Sequence, residues 1–224
     1  MKTTQWLKMV VALNLLALCP ANAQLYLLDQ SFTSPYDEGA NINEGFRYVA
    51  QTFTAGLSGR LAAVSINIFH YGSLYLPLEV QINSVADGTP NSSVLGDTLL
   101  SSSSVSLSEL IWFSQFVPVT AGSQYAIVVS YAGAPPAGYG QGEGDWTGAA
   151  GDTDYYPAGG LFASNDGESW IAISSQNYFF DQHFQTYVEP VPEPSTGWLL
   201  GLIMFAVALA AVNGSVLSID TNRY

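Results

Sequence analysis

The chain has 224 residues, a formal net charge of −13, and five Lys or Arg against 18 Asp or Glu. Such a field excludes nucleic acid as a partner, because backbone affinity needs clustered Lys and Arg, and it disfavours anionic lipid surfaces. Charged residues make up 10% of the chain, well under the usual quarter. Ser, Thr, Asn, Gln, Gly and Tyr take the surface instead, a composition poor for helices.

Lys2 and Lys8 give a basic start, Met9 to Leu18 is apolar apart from Asn14, and Pro20 ends any helix before the small residues Ala21-Asn22-Ala23. This layout predicts a secretory signal peptide over 1–23, cleaved before Gln24. The apolar run is too short for a membrane anchor. Cys19 raises a lipoprotein alternative, but Leu18 stands where that signal needs a small residue. Removing the leader leaves no cysteine, so the mature chain forms no disulfide.

From Gln24 to Glu189 there is enough chain for one domain with a core, and the hydrophobic period is two almost throughout. Strands are expected from Leu25 to Phe32 and from Tyr48 to Phe53. In Leu61 to Phe69, Leu61, Ala63, Ser65, Asn67 and Phe69 lie on one side and Ala62, Val64, Ile66 and Ile68 on the other. Leu78 to Ile82 should point Leu78, Val80 and Ile82 inward, and Asp87-Gly88-Thr89-Pro90 is turn chemistry. Leu95 to Ser102, Ile111 to Val117 and Tyr125 to Tyr131 follow as strands, with Trp112 assigned to the core. Phe162 to Ala172 reads as a hairpin whose Gly167 accepts positive φ, and Trp170 is also assigned to the core. Phe179 to Val188 closes the set, with His183 facing solvent or a groove beside Asp181, Gln185 and Tyr187. The predicted fold is all-β, an antiparallel β-sandwich of jelly-roll type.

Beyond the sandwich, residues 190–196 form a spacer and 197–217 a transmembrane helix, with a short tail over 218–224. Gly197 to Val212 alone gives about 24 Å of helix, and extension to Leu217 gives about 31 Å, enough for a bilayer core of about 30 Å. The hexapeptide Val191-Pro192-Glu193-Pro194-Ser195-Thr196 directly precedes that run. Its prolines keep the segment extended and accessible.

A hexapeptide of this kind before a C-terminal apolar helix resembles the PEP-CTERM sorting signal. The resemblance implies recognition by exosortase, a membrane cysteine transpeptidase of exopolysaccharide-producing Gram-negative bacteria, and removal of the helix. The inner membrane would then be a transient partner. The tail departs from the family in carrying Arg223 alone, offset by Asp220, where a cluster of arginines is usual; this weakens the positive-inside signal. The body is similar to the choice-of-anchor class of bacterial surface β-sandwiches. That likeness lies in Gln51-Thr52-Phe53-Thr54-Ala55, Ser65-Ile66-Asn67-Ile68, Val119 to Val128, Gly159 to Trp170 and Asp181 to Tyr187. It implies an architecture and a location, but no chemistry.

Catalysis has few carriers. The only histidines are His70 and His183, and neither a Gly-x-Ser-x-Gly elbow nor a phosphate-binding glycine loop is present. No enzyme activity is expected. Paired carboxylates of an undetected glycoside hydrolase remain an alternative.

The segment Tyr139 to Trp170 is rich in Gly and acid and reads as a long loop, of the kind that is functional or disordered. Asp145, Asp152 and Asp154 are candidate Ca²⁺ ligands, although their spacing matches no defined calcium loop; the favoured reading is that the acids keep the loop solvated. No other cofactor is expected. Trp146, Tyr155 and Tyr156 are candidate glycan contacts, because exposed rings stack on sugar faces. Arg47 and Arg60 should each pair with a neighbouring carboxylate.

The expected role is that of a non-enzymatic exported protein of the cell surface or exopolysaccharide matrix, structural or adhesive. The alternative is a carbohydrate-binding module, with or without Ca²⁺.

Overall fold

A computed structural model describes residues 25–33, 38–42, 46–70, 77–100, 109–133, 144–174 and 179–191. The expected signal peptide, Pro192 to Thr196 of the expected sorting motif, and the apolar tail lie outside the described residues. Among those described, no helix is long and apolar enough to cross a membrane.

Among the described residues, fourteen strands form antiparallel sheets. A four-stranded sheet has the order β1 (Leu27–Phe32), β14 (Phe184–Pro190), β4 (Gly59–Ile66), β8 (Glu109–Val119). A six-stranded sheet has the order β12 (Ile171–Ala172), β11 (Leu161–Ser164), β3 (Tyr48–Thr54), β9 (Gln124–Tyr131), β6 (Leu78–Ala86), β7 (Thr89–Leu100). A smaller sheet joins β13 (Phe179–Gln182), β10 (Gly144–Gly151) and β2 (Glu38–Ile42), with β5 (Ile68–His70) also pairing β10. One core cluster draws on all three: Leu61, Val117 and Val188 from the first, Phe53, Val80 and Ile127 from the second, Ile42 and Trp146 from the third. Sheets that share one buried layer make a β-sandwich.

Alternation explains most of this. Leu78, Val80 and Ile82 of β6 are buried, as the sequence predicts. In β9 every residue from Tyr125 to Tyr131 is buried. Ile127 and Val129 face the common core, while Ala126 and Val128 join Ala50 in a second cluster that Tyr48, Val85, Phe162 and Trp170 pack against. The second sheet therefore carries an aromatic cover on its outer face.

The β6–β7 hairpin turns at Asp87 and Gly88, whose φ values are +51° and +77°. Two consecutive positive φ angles match the right-handed twist of the flanking strands. Gly167, at φ +76°, also behaves as expected.

Three expectations are corrected. Leu61 and Val64 do not point opposite ways: both are in the common core, because the register slips between Leu61 and Ala63. Against β14, where Leu61 pairs Val188 and Ala63 pairs Tyr187, Ala62 is the extra residue, and it inverts the alternation as a β-bulge does. Trp112 is not core but 49% exposed, since its neighbours Ile111 and Phe113 take the inward positions. The loop expected across 139–170 contains a strand that was not anticipated, β10 (Gly144–Gly151).

The run from Phe179 to Pro190 changes sheets at His183. Its second half, β14, is bonded on both sides, to β1 through Leu27↔Val188 and to β4 through Pro190↔Gly59. Arg60 pairs with Glu189 at 3.5 Å and donates from Nη2 to the Phe113 carbonyl at 3.2 Å, tying β4 to both neighbours. Arg47 is exposed and makes no ion pair among the described residues.

Candidate functional site

The glycan candidates do not form a patch. Trp146 is 0% exposed, and its Nε1 donates to the His183 carbonyl at 2.8 Å. β10 places it in the core, paired with Ala40 of β2 on one side and Ile68 of β5 on the other. The flanking Gly and acidic residues suggested exposure, yet they sit in a strand walled in on both edges. Tyr156 is 8% exposed, with its ring edge-on to Phe184 at 5.1 Å. Its hydroxyl donates to Gln30 Oε1 at 3.0 Å, and burial pushes its pKa up to about 12. Tyr155 alone reaches solvent, with its ring stacked on Phe32 at 6.5 Å.

The candidate metal ligands are likewise dispersed. Asp145 lies within β10, Asp152 is exposed just after it, and Asp154 accepts from the Tyr156 amide at 3.1 Å. Among the described residues no three His, Cys, Asp or Glu side chains come together to hold a metal ion.

A buried polar network does meet around β13 and β10. Asp181 is 1% exposed. Its Oδ1 accepts from Gln51 Nε2 at 3.2 Å and its Oδ2 from the Tyr156 amide at 3.0 Å. Gln51 Oε1 accepts from the Gln182 amide at 2.8 Å. With its side-chain nitrogen turned to donate, Gln182 bonds the carbonyls of Trp146 and, at 3.2 Å, Thr147. Gly148 lets this happen: a Cβ there would collide with the Asp181 carbonyl. Desolvation raises the Asp181 pKa to about 6, against the opposing pull of its hydrogen bonds. His183, expected at the surface, is buried, with Nδ1 3.4 Å from Thr147 Oγ1 and its ring 5.6 Å from Phe32. These groups are satisfied and enclosed, so they lock three sheet segments together and present nothing to a substrate.

A second place is open to solvent. On the outer face of the six-stranded sheet, a groove is lined by Tyr48, Gln81, Asn83, Val94, Glu168 and Trp170, among others. Trp170, assigned to the core from sequence, is half-buried on this face, beside Tyr48 and Phe162. The Ser164 to Trp170 loop forms one wall. It is held by Asp166 Oδ1, which accepts from the Ser169 amide at 2.7 Å, the Glu168 amide at 2.8 Å and Ser164 Oγ at 2.9 Å. Those donors hold the Asp166 carboxyl well below the usual carboxylate range. Opposite, the β6–β7 ladder is irregular, with register slips on both sides of Asn83. The sequence signalled the Gly167 turn but not the groove, which lies beside that irregularity.

A separate aromatic row crosses the outer face of the four-stranded sheet. Leu28, Tyr187, Ala63 and Trp112 are in successive register, and Tyr26 packs edge-on to Trp112 at 5.0 Å.

No protein-family model matches the chain, and no curated protein does. Two solved structures are similar over 74% of its length. One holds the cysteine protease and lectin-like domains of Cwp84, a surface layer associated protein of Clostridium difficile, at 14% identity and TM-score 0.48. The other is the clostridial cysteine protease Cwp84 after propeptide cleavage, at 13% identity and TM-score 0.47. The match spans 36% and 40% of those chains. No function is taken from them.

Proposed function

We propose that the chain is an exported, non-enzymatic protein of the cell surface or exopolysaccharide matrix, with a structural or adhesive role. Its body is a sandwich of jelly-roll type, and its Val191 to Thr196 segment is a handle read by an exosortase-type transpeptidase at the inner membrane. One observation carries the reading: β14 is paired up to Pro190, and the next residue, Val191, the first of the hexapeptide, is exposed. The proline-flanked Glu193 follows at once in the sequence.

β14 is paired with β1 over Phe184 to Val188 and with β4 on to Pro190, so two antiparallel ladders hold most of the last described strand. Leu27 pairs with Val188, so the two ends of the described body lie on adjacent strands. Among the described residues, Asp181, whose carboxyl pKa is raised to about 6, is enclosed and bonded by Gln51 and Tyr156.

Expression in an exosortase-bearing host tests the reading. The mature chain should be recovered outside the cytoplasm, shortened at both ends. A host lacking the transpeptidase should keep the C-terminal segment on the protein. Recovery of the uncut chain from the cytosol of both hosts would overturn it.

A further inference from the structure

We infer that the groove on the outer face of the six-stranded sheet is a binding site for a neutral saccharide. The inference does not depend on where the protein is sorted, because it rests on the chemistry of the groove alone.

The first observation is a pair of unmatched polar atoms. Asn83 is 2% exposed and lines the groove. Its Nδ2 donates to the Asn91 carbonyl at 2.9 Å, which fixes the amide orientation. Its Oδ1 is buried and has no hydrogen-bond partner among the described residues. Trp170 lines the same groove, and its Nε1 is also buried without a hydrogen-bond partner among the described residues. A buried donor and a buried acceptor left unmade each cost about 1–3 kcal/mol, so native structures rarely keep them without an occupant.

The two atoms are of opposite kind, and that selects the ligand. A carboxylate or phosphate would satisfy only the Trp170 N–H and would meet the Glu168 carboxylate on the rim. An ammonium would satisfy only Asn83 Oδ1. A hydroxyl both donates and accepts, so a polyhydroxylated ligand can match both. Gln81 adds an amide, and Glu168 adds an acceptor for further hydroxyls.

The second observation is the apolar part of the lining. Val128 lines the groove between the rings of Tyr48 and Trp170, which pack against the buried cluster it forms with Ala50 and Ala126. Rings beside a depression suit the C–H face of a pyranose, with convergent polar groups setting its orientation. The irregular register at Asn83 is the device that opens this space, as bulges beside binding sites commonly do.

The test uses the full-length chain in a non-sugar detergent. Binding of maltohexaose, cellohexaose, laminarihexaose and mannohexaose is followed by tryptophan fluorescence and by calorimetry. An oligogalacturonate and a chitosan oligomer serve as anionic and cationic probes. At least one neutral probe should bind saturably. Trp170→Phe, which keeps a ring but removes the N–H, should weaken it about fivefold, the scale of one neutral hydrogen bond. Glu168→Gln, an exposed substitution, should weaken it about threefold without moving the melting temperature. Trp112→Phe, on the opposite sheet, should change nothing. If Trp170→Phe does not fold, Glu168→Gln and Gln81→Ala carry the same comparison. Absence of binding by every neutral probe would refute the inference, as would tighter binding of a charged probe. Loss of binding in Trp112→Phe, with Trp170→Phe and Glu168→Gln unaffected, would place the sugar on the aromatic row and refute it too.

Discussion

Asp181→Asn is the sharpest probe of the buried network. The folded pKa of Asp181 is raised to about 6 from 3.8, chiefly by burial. The folded chain therefore holds a proton at pH values where the unfolded chain has released it. That contribution to stability is fully present below about pH 4 and is lost as the pH rises through about 6. A shift of about two pH units corresponds to at most about 3 kcal/mol. Asparagine does not titrate, but its NH₂ cannot accept, so either Gln51 Nε2 or the Tyr156 amide loses its partner. That loss costs about 1–3 kcal/mol at every pH. Urea unfolding of both proteins, from about pH 4 to about pH 7.5, should show the variant clearly weaker in acid. The two should converge, within about 2 kcal/mol, at neutral pH. Subtracting one curve from the other cancels the remaining carboxylates. Parallel curves over that interval would mean that Asp181 is ionised in the folded chain, and the enclosed-network reasoning would fail.

Trp146→Ala should destabilise the body by about 3–5 kcal/mol in chemical denaturation, with no effect on binding by whatever protein remains folded. A loss of sugar binding with unchanged stability would return Trp146 to the surface. Gly148→Ala should lower the melting temperature more than Ala150→Gly does, because the added Cβ meets the Asp181 carbonyl whereas Ala150 has no such obstacle. Gly88→Val should destabilise the β6–β7 hairpin by about 1–2 kcal/mol, the cost of placing a branched residue at positive φ. EDTA should leave the melting temperature unchanged, since the three candidate aspartates are not grouped; a fall reversed by added Ca²⁺ would contradict this.

The parts of the fold that a period of two can express were legible. Leu78, Val80 and Ile82 alternate cleanly, and Asp87-Gly88 carries its own turn geometry, so the β6–β7 hairpin could be drawn from residues alone. Trp112 was misassigned although the signal was present: if Ile111 and Phe113 point inward, the residue between them points out. β10 was not legible because Gly144-Asp145-Trp146-Thr147-Gly148-Ala149-Ala150-Gly151 is mostly Gly, Ala and Asp, which are depleted in strands. Its extended state is imposed by pairing with β2, β5 and β13, and that tertiary context also buries Trp146. The slip at Ala62 leaves no mark in the sequence, since alanine suits either face. The groove was illegible for a related reason. Its walls come from β3, β6, β7 and the 164–170 loop, which only the sheet order brings together.

The mass of the protein recovered outside the cell tests the account most directly. A chain that begins at Gln24 and has lost the apolar stretch after Thr196 is the predicted result. A polypeptide found in the cytosol, starting at Met1 and ending at Tyr224, would contradict it.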